Sequence, residues 1–389
     1  MRITRLKLEN WRNFRKVDVA LGDRTFFIGP NASGKSNLLE AVRFLRDVSA
    51  TTNGGLQTAV ATREGVPAIR CLAARRASDI QIIAEIGDQA GSQWRYELSF
   101  TGEARTGRPV VRRETVVRVT PESETVIVDR PSNEDHDDPE RLTETHLEQT
   151  GANRDFREIA EFFRSVRYLH AVPQIIRDPD RRSDNPDDPF GSHLLTQINA
   201  APKREREARL RRINDVLKVA APQLNDLQLD HDDSGAPHLK AKYLHWRPQG
   251  AWQREDQFSD GTLRLIGLIW SLAERGGPLL LEEPELSLHA AVVTQLASVI
   301  RRASRRAKGA SRQTLVTTHS HELLSDPGVG LDEVFVLRPG PEGTEVLSPS
   351  TMPDIRAMVE REIPLPEAVM PLTRPAGVED LPLFVERPT

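Results

Sequence analysis

The chain is most informative at first for what it lacks. One cysteine, Cys71, in 389 residues leaves no internal disulfide framework and no four-cysteine zinc site. No stretch approaches the roughly 20 apolar residues needed to span a bilayer. The opening MRITRLKLEN alternates charged with apolar residues, which suits a strand and not a signal peptide. A reducing cytoplasm is the expected compartment, with no membrane contact. Excess charge of one sign is missing too. Lys and Arg number 53 against 57 Asp and Glu, a net charge of −4, so any DNA contact must come from local patches. No repeat unit and no heptad run long enough for a coiled coil is present.

What is there reads as a globular protein of one large or two ordinary domains. Short strands are expected at Ile3–Leu8 and Val17–Leu21, and a third, Thr25–Ile28, runs into a glycine loop. Leu38, Ala41, Val42 and Leu45 recur at helical spacing after Ser36, so the loop opens a helix. From about Ile80 to Val128 the pattern alternates, as in an antiparallel sheet. The acidic stretch Ser132–Glu140 reads as an exposed, mobile loop. Helical patterns then dominate to about Leu217, broken by the surface loop DPDRRSDNPDDPFG. From Gln257 helices alternate with buried strands, the rhythm of a parallel sheet. The expected segments are 1–130, an ATPase lobe with an antiparallel β subdomain; 131–245, a mainly helical insert; 246–350, a second ATPase lobe; and 351–389, a loosely packed proline-rich tail.

Four constellations carry chemistry. Gly29, Pro30, Asn31, Ala32, Ser33, Gly34, Lys35 and Ser36 satisfy GxxxxGK[ST] between a strand and a helix, the context that loop requires. Backbone N–H groups there would curl round a β-phosphate, Lys35 would neutralise β- and γ-phosphates, and the Ser36 hydroxyl would ligate magnesium. Mg-ATP is the expected ligand. In LLLEEPELSLH, a leucine run delivers acids to the end of a buried strand. Glu282 would help position magnesium and Glu283 would polarise the attacking water. Ser259, Asp260 and Gly261 precede a strongly apolar helix, which alone is only a capped helix start but could form a second anion site. The strand TLVTT ends near His319, placed to hydrogen-bond a γ-phosphate, and Gln174 lies beyond a short strand, a candidate bridge to magnesium.

The order glycine loop, Gln, SDG, LLLEEPE, THS resembles the ATP-binding-cassette heads of the RecF/SMC type, and bacterial AAA-type-core ATPases related to the OLD nucleases. The resemblance covers Met1 to about Ser350. It implies an α/β P-loop NTPase working as a homodimer, with two heads sandwiching two ATP molecules. The glycine loop of one would face Ser259 and Gly261 of the other. Glu283 is then the catalytic base, His319 the switch, and Glu285–His289 the loop communicating between sites. Arg12 and Asn13 would lie near the nucleotide. Two departures stand out: Glu282 replaces the usual aspartate, so its magnesium contact could run through water, and FSDGT replaces LSGGQ. Only about 220 residues separate Ser36 from Ser259, which excludes an SMC-like arm.

Three functions compete. The first is an ATP-driven switch on duplex DNA, in repair or anti-phage defence. Its support is two basic clusters, Arg301, Arg302, Arg305, Arg306, Lys308 and Arg312, and Lys203–Arg212. The second is an ATP-clamped sensor or scaffold for a partner. Only about 70 residues follow His319, too few for a TOPRIM domain, so a nuclease or toxin would come as a separate polypeptide. The third, a transporter subunit, is disfavoured by the antiparallel block and by FSDGT.

Overall fold

The computed structural model describes residues 1–74, 79–178, 188–246, 251–274, 276–304, 312–375 and 377–380. Strands run in chain order as β1 (Arg2–Trp11), β2 (Phe14–Ala20), β3 (Arg24–Ile28), β4 (Ile80–Asp88), β5 (Gly91–Gly102), β6 (Pro109–Val119), β7 (Glu124–Arg130) and β8 (Arg167–Leu169). They continue as β9 (Leu224–His231), β10 (Pro237–Tyr243), β11 (Ala251–Arg254), β12 (Leu279–Glu282), β13 (Thr314–Thr318), β14 (Val334–Gly340) and β15 (Gly343–Leu347). The chain divides into two units: Met1–Val166 with Thr317–His321 and Gly330–Thr389, and Arg167–Val316 with Glu322–Val329. No described helix is long and apolar enough to cross a membrane.

In the first unit an antiparallel sheet is ordered β2-β1-β4-β5-β6-β7. Its strands alternate, turning Ile3, Leu6 and Leu8 of β1 inward. β3 pairs in parallel with β14, and β14 antiparallel with β15. All five residues of β3 are buried, the pattern of a strand covered on both faces. The helix Lys35–Ser49 is fixed on the antiparallel sheet by its aromatic residue. Phe44 lies 5.3 Å from Trp11, edge to face, and 5.3 Å from Phe100, stacked. The Trp11 indole N–H donates to the Asn37 carbonyl at 2.7 Å.

Two expectations fail here. The acidic stretch 132–140 is largely exposed as expected, except at Asp135, but it is not a loop: it forms a helix at Asn133–Asp137 and a 3₁₀ turn at Pro139–Thr143. Its Asp135 is buried and ion-paired to buried Arg130 at 2.9 Å. Arg130 also meets Glu114, which accepts from Tyr96 Oη and from the His146 and Leu147 amides. Burial alone would raise the Asp135 pKa, but Arg130 and the Ser132 bonds outweigh it and hold the carboxyl well below the usual range. Composition misled because one buried cation can draw a single carboxylate of an acidic segment inward and order the turn around it. The tail beyond Ser350 is likewise not loose as far as Thr373. It forms the helices Pro353–Glu360 and Leu365–Val369, burying Ile355, Ala368 and Val369.

In the second unit β12 pairs in parallel with β8, and β9, β10 and β11 form an antiparallel three-stranded sheet. The stretch 131–245 therefore holds β8, β9 and β10 beside its helices. The helix Lys203–Ala220 lies on β9 and packs on the apolar helix Asp260–Ala273. Its basic cluster is partly engaged within the unit: Arg209 stacks over Trp270 at 4.7 Å and pairs with Glu205, and Arg206 donates to the Asn199 carbonyl. Arg312 of the other cluster is buried on the carbonyls of Gly277 and Ser271 and offers nothing to a phosphate. Arg301 and Arg302 are exposed; Arg305, Arg306 and Lys308 lie outside the described residues.

Candidate functional site

The glycine loop is shaped by close backbone approaches. A Cβ at Gly29 would stand 2.6 Å from Ser33 Oγ and 2.8 Å from the Leu337 carbonyl oxygen. Gly34, at φ +92°, begins the helix, and a Cβ there would lie 2.1 Å from Asn13 Nδ2. Asn13 braces the loop: its Nδ2 donates to the Ser33 carbonyl at 2.9 Å and to Thr344 Oγ1 at 2.7 Å, and its Oδ1 accepts from Asn37 Nδ2 at 2.8 Å. The Lys35 ammonium, buried, donates to the carbonyls of Gly29 and Pro30 at 3.0 and 3.2 Å. Ser36 is exposed on the first helical turn, and Pro30, Asn31 and Ala32 line the loop's outer edge, Ala32 in the left-handed region at φ 61°.

Beside the loop opens a cavity of about 790 Å³, lined among others by Arg12, Asn13, Ala32, Asn37, Cys71 and Thr344. Its size is that of a nucleotide or drug-sized ligand site. Arg12 has a left-handed backbone (φ 54°) and donates from Nη1 to the Ala68 carbonyl at 2.9 Å. Burial lowers its guanidinium pKa from the usual value, though not enough to discharge it. His319 belongs to this same unit, exposed just past β13.

The second unit brings together the other candidates. Ser259 is exposed and caps the helix Asp260–Ala273, its Oγ accepting from the Thr262 amide at 3.3 Å. A Cβ on Gly261 would lie 2.4 Å from the Ser287 carbonyl oxygen, so glycine lets the helix start meet the loop after β12. Asp260 is the hub. It accepts from Gln174 Nε2 at 3.3 Å and from Arg177 Nη2 at 2.6 Å, and Arg177 also donates to the Phe258 carbonyl at 2.6 Å. Glu282, at the end of β12, accepts from the Tyr168 hydroxyl across the parallel pair. Glu283 follows in the left-handed region at φ 43°, a strained backbone of the kind that clusters at reactive sites. Arg264, its pKa lowered by burial, senses the charges of Asp260, Glu283 and Glu285.

Three residues escaped sequence reasoning: Arg177, Tyr168 and Arg264. Arg177 follows Gln174 at helical spacing on Pro173–Arg177, the one local hint; the others act across strand and helix pairs. Among the described residues no group of three or more His, Cys, Asp and Glu could hold a metal. Magnesium carried in with a nucleotide keeps waters and phosphates and asks the protein for only one or two oxygen ligands. The exposed Ser36 hydroxyl and the Glu282 carboxylate are of the right oxygen type.

Over residues 24–325 the chain matches the family described as "AAA domain, putative AbiEii toxin, Type IV TA system". It is 50% identical over 46 residues to the DNA replication and repair protein RecF of Chloroflexus aggregans, 12% of each chain. Against RecF of Clavibacter sepedonicus it is 28% identical over 133 residues, 34% of this chain and 32% of that one. The chain thus spans from about an eighth to about a third of the length of these relatives. A solved SMC head, bound to the C-terminal winged-helix domain of ScpA, superposes with a TM-score of 0.57 at 15% identity, covering 92% of this chain and 100% of that one. The chain belongs to this AAA family, and its fold is similar to that of an SMC head.

Proposed function

We propose that the chain binds Mg-ATP, hydrolyses it to ADP and phosphate, and works as a head-to-head dimer switch. The observation that carries this reading is Ser259. It is an exposed hydroxyl at the positive end of a 14-residue helix, on a turn fixed by Arg177 through Asp260. Such a turn is a phosphate receptor, and the chain's own glycine loop already supplies one. Two receptors per chain suit a composite site in which the loop of one copy faces Ser259, Asp260 and Gly261 of the other.

In this proposal the loop amides and Lys35 cradle the phosphates, and Arg12 and Asn13 flank the nucleotide. Magnesium, when bound, would neutralise phosphate charge, held by Ser36, with Glu282 reaching it through water and Gln174 as a further ligand. Glu283 orients the attacking water and takes its proton, and His319 hydrogen-bonds the γ-phosphate and registers its loss. The RecF relatives are named for DNA replication and repair, and the family description names a toxin–antitoxin system. These support a cytoplasmic switch in DNA repair or anti-phage defence that controls a separate nuclease or toxin. The SMC head bound to ScpA supports the second reading, an ATP-clamped sensor that holds a partner.

Glu283→Gln tests the chemistry. It should lower ATP turnover about a hundredfold or more while leaving ATP binding intact and accumulating an ATP-bound dimer in light scattering. Turnover at the wild-type rate would remove Glu283 from the role of base. ATPase measured with and without duplex DNA ends over a salt series separates the two biological readings: stimulation supports the DNA switch, and no binding at low salt supports the sensor.

A further inference from the structure

The antiparallel sheet β9–β11 has two unlike faces. Leu227, Leu239 and Ala241 point inward and are buried, with the helices Leu194–Ala200 and Lys203–Ala220 against their strands. The strand register fixes what the opposite face carries. Lys240 stands across from Arg254 on one side and Gln228 on the other, and Lys242 stands across from Trp252. Residues opposite one another in an antiparallel pair share a face. Trp252 is 47% exposed there, with the Lys240 ammonium 5.2 Å from its ring centroid. Gln228 and Arg254 are exposed on the same side. At the end of β10 the chain adds Leu244, 44% exposed, and Trp246, 84% exposed.

Two exposed tryptophans on a chain with only five are an unusual feature. Their surroundings say what they suit. Three cations, Lys240, Lys242 and Arg254, share the face with Trp252, against two carboxylates: Asp230, paired with Lys240 at 3.2 Å, and Asp232, 3.4 Å from His238 at the edge of the face. Glu255 is nearby but buried, engaged by His238 Nδ1 and the Leu239 amide. The face is therefore net positive although the whole chain carries −4. Lys240 and Lys242 are spaced by two residues, about 6.8 Å along the strand. An open sheet with an aromatic ring between regularly spaced cations matches a strand whose bases are unstacked and whose phosphates are exposed. Bases stack on the ring and phosphates meet the cations. A duplex hides its base faces and has no use for the tryptophan.

We propose that the open face of β9–β11 binds single-stranded nucleic acid, with a base on Trp252, a second on Trp246, and phosphates on Lys242 and Arg254. This surface is independent of the ATPase reading, and it lies outside both basic clusters singled out in the sequence. The test uses the full chain and fluorescein-labelled oligothymidylate of about 16 nucleotides, read by anisotropy at about 50 mM salt. Wild type should bind with quenching of tryptophan emission. Trp252→Ala should weaken binding by about 5- to 150-fold, and Lys242→Glu should also reduce the salt slope, with melting temperature and ATP turnover unchanged in both. Trp252→Phe should restore most of the affinity, which a merely charged surface would not show. Absence of binding, or binding equal in wild type, Trp252→Ala and Lys242→Glu, would overturn the proposal and leave the face to a protein partner. A duplex of the same length bound as tightly as the single strand would overturn it as well.

Discussion

The two units hold their candidate residues by different means. In the first, backbone geometry does the holding. A Cβ added at Gly29 or Gly34 would stand 2.6 Å from Ser33 Oγ or 2.1 Å from Asn13 Nδ2, so only glycine fits, and the loop is braced by Asn13 within the same unit. In the second, side chains distant in sequence do it. Arg177 and Gln174 converge on Asp260 from more than 80 residues away, and Tyr168 reaches Glu282 across 114. The glycine loop itself is written in consecutive residues, and only its Asn13 brace comes from outside them. A side-chain-held site is written in pairs, and single-sequence reading sees only half of each pair.

The comparison can be broken most severely at Gly34. Gly34→Val puts a branched side chain at φ +92° and into Asn13, so binding of a fluorescent ATP analogue should vanish while circular dichroism stays native. Tight binding by this variant would mean that backbone conformation does not govern the loop. Next in size is Arg130→Ala, which strands buried Glu114 and Asp135. It should cost about 3–5 kcal/mol in urea unfolding, showing that the first unit also leans on side-chain pairs away from its loop.

Glu148 gives a pH-dependent test of the same unit. Burial raises its pKa to about 7, against the pull of the Thr145 and Leu56 amides and the Thr145 hydroxyl. The unfolded carboxyl titrates near 4.5, so between about pH 4.5 and 7 the folded chain holds the extra proton. Stability must then fall as pH rises through that window, with the whole penalty, about 3 kcal/mol, present above it. Glu148→Gln should flatten this slope, read as urea midpoints at about pH 5 and about pH 7.5. An unchanged slope would assign it to other groups. The smallest effect is expected at Arg177→Ala. Its partner Asp260 is more than a third exposed, so solvent screens the pair, and ATP turnover should drop about tenfold or less. Nucleotide affinity should hold, and Arg177→Lys should restore part of the loss. A change in affinity instead would place Arg177 on the nucleotide and not on the signature turn.

Much of the fold was legible because its signals are local. β3, the glycine loop and its helix follow from five buried residues, two glycines and a 3.6-residue apolar period. LLLE and TLVTT announce buried strands β12 and β13. The acidic stretch 132–140 was misread because its order comes from Arg130, which composition cannot connect to Asp135. The tail was misread because its prolines sit at helix starts, in Pro353–Glu360 and Leu365–Val369, where they are tolerated. Arg177 and Tyr168 were invisible for the reason the two units differ: their partners lie far along the chain.

The central claim is that the glycine loop of one copy works with Ser259 of another. Lys35→Ala alone should lose ATP binding, and Ser259→Arg alone should bind ATP but not hydrolyse it. Mixed, the two inactive variants should regain ATPase activity, because the hybrid dimer pairs an intact loop with an intact signature turn. No recovery on mixing, or full turnover by a monomeric Ser259→Arg, would contradict the account.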